Sequence, residues 1–111
     1  MSISPSAFVE KVRGDLIPFL VKGEASYTTT ETGGQVWHAT ESTETGEKVE
    51  VDAFEMDGET HAMVIWGAYD LNIRTAEDEF VLFINKDCLS SNEACVFTTL
   101  DALFERVRQL P

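Results

Sequence analysis

Hydrophobic residues recur at helical spacing in the first part of the chain. They follow Ser4 and Pro5, which predict a helix start, because Ser4 can cap the helix and Pro5 needs no donor at its first position. Pro18 lies further along the same pattern and cannot donate a hydrogen bond to the carbonyl of Gly14. We therefore expect a kink or an early end to the helix near Pro18.

A second helix is predicted at the C-terminal end. Thr98 or Thr99 can cap it, and Asp101 in its first turn has the charge that the helix dipole favours. Its apolar residues fall on one stripe, formed by Leu100, Leu103, Phe104, Val107 and Leu110.

Between the two helices the apolar period changes to two, which is typical of β-strands. Strands are predicted at residues 25–31, 36–43, 48–56, 62–69 and 79–85, with a short one at 94–97. The short connections between the first four predict an antiparallel meander. Three glycine-containing turn signals separate them, at Gly33-Gly34, Thr45-Gly46 and Asp57-Gly58.

Two local patterns predict details of this sheet. Residues 62–69 are almost wholly apolar, which predicts a central strand covered on both faces, and the polar residues 70–78 are expected to be a connection. Phe54 and Met56 shift the apolar phase by one position, which indicates a bulge near Ala53. The chain is therefore predicted to be one α+β domain, residues 1–111. Its single antiparallel meander has five or six strands, with the N-terminal and C-terminal helices packed on one face.

The charge of the chain is concentrated in its middle. The net charge is −12, from 20 acidic and 8 basic residues, and residues 24–79 hold fourteen of the acids against only two bases. Such a surface repels phosphates, so direct binding to nucleic acid or to an anionic membrane is not expected. Eight acids, which we call the acidic belt, are predicted to form a common negative field: Glu41, Glu44, Glu47, Glu50, Asp52, Glu55, Asp57 and Glu59.

Catalytic chemistry has little support in the sequence. His38, His61, Cys88 and Cys95 lack the paired spacing of zinc modules, so neither a metal nor another cofactor is expected. The first residues resemble no secretory signal, and no apolar run is long enough to span a membrane. We therefore expect a cytoplasmic protein in which Cys88 and Cys95 remain thiols; an oxidising compartment would allow them to close a small loop.

The acidic belt, together with Trp37, is the predicted contact surface for a partner. The first hypothesis is a non-enzymatic module that binds and neutralises a basic, nucleic-acid-handling protein, as immunity proteins and phage or plasmid inhibitors do. One alternative is an acidic secretion-type chaperone, or escort, which requires an exposed apolar patch and a dimer. Another is a small-molecule site or enzyme that uses His38, His61 and Cys88. The sequence leaves open whether the protein is a monomer or a homodimer.

Overall fold

The first helix begins where the sequence predicts it. The computed structural model describes residues 3–86 and 89–110, and its first helix, α1, spans Pro5–Lys11. The hydroxyl of Ser4 accepts a hydrogen bond from the backbone N–H of Ala7 at 3.2 Å. The predicted cap is therefore confirmed, and it satisfies one of the donors that a helix start leaves without an internal partner.

The helical segment does not end early near Pro18 but continues to Leu20, and its hydrogen-bond pattern changes just before the proline. Val12–Leu16 form a π-helical turn, in which the N–H of Ile17 bonds to the carbonyl of Val12, and a short helix, α2, follows at Ile17–Leu20. Pro18 has no N–H, so one carbonyl of the preceding turn loses its usual donor. A π-helical turn next to this proline changes the hydrogen-bond pattern without ending the helical segment.

The last helix, α3, spans Leu100–Arg108 and has the predicted threonine cap. The hydroxyl of Thr99 accepts a hydrogen bond from the N–H of Ala102 at 3.1 Å. None of the described helices is long and apolar enough to cross a bilayer. The predicted apolar stripe faces the core, with Leu110 partly buried and four residues buried: Leu100, Leu103, Phe104 and Val107.

Between the helices lies one antiparallel sheet in which each strand pairs with the next along the chain. It has seven strands where the sequence predicted five or six, and it extends the predicted meander to all of them. The strands are β1 (Ala25–Thr32), β2 (Gln35–Ser42), β3 (Lys48–Met56), β4 (Glu59–Trp66), β5 (Tyr69–Thr75), β6 (Phe80–Lys86) and β7 (Leu89–Phe97).

The additional strand, β5, comes from a segment that the sequence assigned to a connection. The predicted strand at residues 62–69 is central but covered on one face only, since Met63 and Ile65 are exposed. It ends at Trp66, and Gly67 with φ +58° begins a tight turn that leads into Tyr69. Beyond the turn, apolar and polar residues alternate in β5, and Leu71 pairs with Val64 of β4. The prediction of a polar connection over residues 70–78 was therefore wrong for the part that forms β5.

The N-terminal helix α1 and the C-terminal helix α3 pack on the same face of the sheet, as predicted. Val51 of β3 and Leu71 of β5 are fully buried on this face, and each such burial stabilises the fold by roughly 1.5–3 kcal/mol. Phe8 of α1 meets Phe104 of α3 edge to face, with ring centroids 6.4 Å apart. We call the opposite face, which no described helix covers, the open face. One row of register partners across it is Trp37, Asp52, Met63, Asn72 and Phe83.

The register of β3 and β4 shows that the predicted bulge near Ala53 is wrong. The two strands pair without interruption from Val49, opposite Trp66, to Met56, opposite Glu59. The apolar phase changes because Ala53 faces the helices while Phe54 stands on the open face. The change therefore marks apolar residues on the open face, while the backbone remains regular.

Candidate functional site

The open face carries most of the exposed large hydrophobic residues of the described chain. Phe19 on α2 and Tyr27 on β1 are exposed elsewhere. The register of the strands places the other six on the open face, with exposures between 37% and 59%. We call them the apolar patch: Phe54, Met56, Met63, Ile65, Phe83 and Val96. Exposed apolar surface gathered on one face of a small protein is a candidate interaction site.

A depression of about 320 Å³ lies within this patch. The ring of Phe54 stacks on the imidazole of His61, with centroids 5.7 Å apart and 16° between the planes. Met63 and Phe83 are each register partners of Asn72 on β5, which places the amide between two apolar side chains. The depression is lined by Phe54, His61, Ala62, Met63, Asn72, Ile73, Arg74 and Phe83. It is wide enough to receive an apolar side chain from a partner.

Part of the acidic belt borders the apolar patch. Asp52 is the register partner of Met63, and Glu50 is the register partner of Ile65. The open face holds four of the eight belt acids together with the half-buried Trp37. These predicted contact residues are Trp37, Glu41, Glu50, Asp52 and Glu59.

The structure places the other four belt acids elsewhere. Glu44 and Glu47 lie in the connection between β2 and β3, while Asp57 lies in the turn between β3 and β4. These two turns are at opposite ends of β3, roughly 27 Å apart for a strand of this length. Glu55 alternates with Phe54 and is therefore on the helix side, where it is exposed at the end of the strand. The belt does not form the single surface that was predicted.

Neighbouring side chains hold two of the open-face carboxylates. The ammonium of Lys48 lies 2.8 Å from a carboxylate oxygen of Glu50. The pKa of Lys48 is raised because the Glu50 carboxylate accepts its hydrogen bond and attracts its charge. The side-chain amide of Gln35 donates to both oxygens of Asp52, at 2.8 and 3.1 Å. The Asp52 carboxylate is therefore held in place by a neutral amide group.

A third carboxylate lies near the depression. One oxygen of Glu59 is 3.7 Å from Nε of Arg74 and 3.8 Å from Nε2 of His61. Asp70 adds another carboxylate to the open face, opposite Ile65 in the register. Among the described side chains of this face, the cations of Lys48 and Arg74 are outnumbered by the carboxylates of Glu41, Glu50, Asp52, Glu59 and Asp70.

The two histidines are on opposite faces of the sheet and cannot share one site. His61 is on the open face, whereas His38 is fully buried on the helix side. The Nδ1 of His38 lies 2.6 Å from the hydroxyl of Thr29, and its Nε2 lies 2.9 Å from the hydroxyl of Thr40. Burial lowers the pKa of His38, and the positive charge of Arg13 lowers it further. His38 therefore has the character of a satisfied neutral core group.

The structure describes one of the two cysteines, Cys95. Cys88 lies outside the described residues, so neither its predicted thiol state nor a loop closed with Cys95 is described. The side chain of Cys95 is half-buried and packs against the core. Among the side chains that the structure describes, no three histidine, cysteine or carboxylate groups converge as a metal site would require.

The sequence reasoning did not identify the apolar patch. Its signal was present in the strands, since Phe54, Met63 and Ile65 occupy alternate positions that a solvated sheet face would fill with polar residues. Comparisons with protein-family models, with curated proteins and with solved structures found no match to this chain.

Proposed function

We propose that the protein is a non-enzymatic binding module that uses the open face to bind a basic partner protein. The observation that carries the proposal is the position of the apolar patch, on a sheet face that no described helix covers and beside open-face carboxylates. Met63 lies directly opposite Asp52, so an apolar anchor and a negative charge are presented together. A partner that combines an apolar side chain with flanking lysine or arginine residues would complement both.

The apolar patch is the source of affinity in this proposal. Removing apolar surface from water is favourable by about 25 cal/mol per Å². Binding energy is usually concentrated in a few large side chains at the centre of an interface. Phe54, Met63 and Phe83 surround the depression and are the residues expected to contribute most.

The carboxylates contribute selectivity. Glu50 and Asp52 lie side by side along β3 and attract a basic surface during encounter, while they repel phosphates. A protein that handles nucleic acid has a basic surface of this kind. We propose, as in the first sequence hypothesis, that occupation of that surface by the open face neutralises the partner.

Affinity capture from the native host tests the proposal. Immobilised wild-type protein is compared with Met63→Asp, which places a charge in the apolar patch, and with Phe19→Asp, which makes the same change at an exposed residue of α2. We expect one protein to be retained at low salt by the wild type and by Phe19→Asp, and lost from Met63→Asp. Equal retention by all three would contradict the proposal.

The escort remains the second candidate, because the apolar patch is one of the two features that it requires. It differs from the inhibitor in the state of the bound partner. An escort binds an extended chain, whereas an inhibitor binds a folded domain. Hydrogen exchange of the partner within the complex separates the two. Protected amides throughout a folded core support the inhibitor, and rapid exchange outside one short bound segment supports the escort.

A further inference from the structure

The first strand, β1, lies at an edge of the sheet and lacks the usual protection against further pairing. Within the described chain its one neighbouring strand is β2, with which Ala25–Thr32 pair without a bulge. Residues 25–30 include neither a charged residue nor a proline, although acids dominate residues 24–79. Edge strands are ordinarily protected by lysines, prolines, bulges or covering elements. The β1 edge is therefore suited to accept another strand.

The hydrogen-bond pattern shows which backbone groups of β1 face outward. Gly33 and Gly34 both have positive φ, at 58° and 84°, as in a two-residue hairpin turn, so Thr32 and Gln35 beside the turn form a hydrogen-bonded pair. At the other end, the carbonyl of Glu24 accepts from the N–H of Thr43. Even-numbered residues thus bond to β2. The outward N–H and carbonyl groups belong to Ala25, Tyr27, Thr29 and Glu31.

We propose that two copies of this chain form a dimer through antiparallel pairing of their β1 strands. The register that uses all the outward groups places Tyr27 opposite Thr29 of the second copy, and Ala25 opposite its Glu31. Each of these pairs can exchange two backbone hydrogen bonds, and the two sheets become continuous. The dimer uses the edge of the sheet and leaves the open face free, so its test does not depend on what that face binds. A dimer would also meet the second requirement of the escort.

Side chains on the helix side support the proposal that the strand added to the β1 edge comes from a second copy of this chain. The guanidinium of Arg13 lies 4.7 Å above the ring of Tyr27. In the proposed register, Tyr27 is the diagonal neighbour of Glu31 in the second copy, at roughly 7–8 Å along the same face. Glu31 is exposed and accepts a hydrogen bond from Ser6. The two-fold axis thus gives two Arg13–Glu31 pairs across the edge, with both carboxylates kept apart.

Proline substitution tests the backbone part of this proposal. Thr29→Pro removes an outward N–H that β2 does not use, and Thr29→Val keeps that N–H while losing the same hydroxyl. Light scattering and sedimentation of the full chain should show dimers for the wild type and for Thr29→Val. At the same concentrations Thr29→Pro should be monomeric, with an unchanged far-ultraviolet spectrum. A monomeric wild type, or a dimeric Thr29→Pro, would overturn the proposal.

A charge exchange keeps the proposal testable if the proline variant does not fold. Arg13→Glu and Glu31→Arg each place like charges across the edge and should raise the dimer Kd about tenfold. Combining both substitutions in one chain restores opposite charges and should return the Kd close to the wild-type value. A double variant that dimerises as poorly as the worse single variant would contradict the register.

Discussion

Phe54 and His61 face each other across β3 and β4, and their rings stack on the side of the sheet that no described helix covers. The Phe54 ring contributes to the open face while Phe8 and Phe104 fill the core on the other side. Folding and the proposed binding therefore depend on different sets of large apolar residues. This separation allows binding to be changed without unfolding the protein.

Because the open face and the core use different side chains, substitutions on the two should lower the free energy of unfolding by different amounts. Met63→Ser removes an exposed side chain and should lower the free energy of unfolding by less than about 1 kcal/mol. Phe104→Ala empties a fully buried position between the two terminal helices and should lower it by about 3–5 kcal/mol. Urea denaturation of both variants measures the difference. Equal destabilisation would show that the open face is part of the core.

The two threonines before α3 offer a matched test of helix capping. Thr99 accepts a hydrogen bond from the N–H of Ala102, and the adjacent Thr98 is exposed just before the cap. Thr99→Ala should lower the free energy of unfolding by about 1 kcal/mol. Thr98→Ala should have a smaller effect, within about 0.5 kcal/mol. Thermal unfolding of the two variants under one condition provides the comparison, and a reversed order would exclude Thr99 as the cap.

The buried His38 predicts a loss of stability in mild acid. Its pKa is lowered in the folded protein by burial and by Arg13, while the unfolded chain has the ordinary value of 6.5. As the pH falls below 6.5, the unfolded chain takes up a proton that the folded protein excludes, so this contribution lowers stability until the folded pKa is reached. Above about pH 8 both states are neutral at this residue and the contribution is constant.

This pH dependence is measured from urea denaturation between about pH 7 and about pH 5, above the usual range of carboxyl pKa values. His38→Gln should show a flatter profile than the wild type. His61→Asn, which removes the other histidine, should keep the decline due to His38. An unchanged slope in His38→Gln, or a His38 imidazole that titrates above 6.5 by NMR, would contradict this account.

Charge reversal distinguishes a local effect of the open face from an effect of net charge. Glu50→Lys with Asp52→Lys changes the open face, while Glu44→Lys with Glu47→Lys makes the same charge change in a connection at one end of the sheet. With the captured partner at low salt, the first pair should slow association at least about tenfold and the second should slow it less. Stopped-flow or surface-binding kinetics give the rates. Equal slowing would assign the effect to overall charge.

The sequence predicted the elements whose signals are local. The caps at Ser4 and Thr99 and the first hairpins depend on chemistry within a few residues, and all are present. β5 was not recognised, because its polar residues resemble a loop when the segment is considered without its neighbouring strands. Its apolar residues Tyr69, Leu71 and Ile73 nevertheless alternate with the polar ones. Strand identity here depends on pairing with β4 and β6.

The candidate site was harder to predict, because it depends on which face each residue occupies. Eight acids close together in the sequence suggested one surface. Strand alternation sends Glu55 to the helix side, and the turns carry Glu47 and Asp57 to opposite ends of β3. The same alternation brings Phe54 and Phe83, distant in sequence, to one depression. Such a site can be recognised only when it is known, for every strand, which residues lie on which face of the sheet.

Methyl NMR of the complex tests most directly whether the open face is the contact surface. The protein is labelled at the methyl groups of methionine and isoleucine and titrated with the captured partner. We predict that the signals of Met63 and Ile65 on the open face shift or broaden, while that of Ile17, a buried residue of α2, stays in place. Unchanged Met63 and Ile65 signals in a saturated complex would contradict binding through the open face.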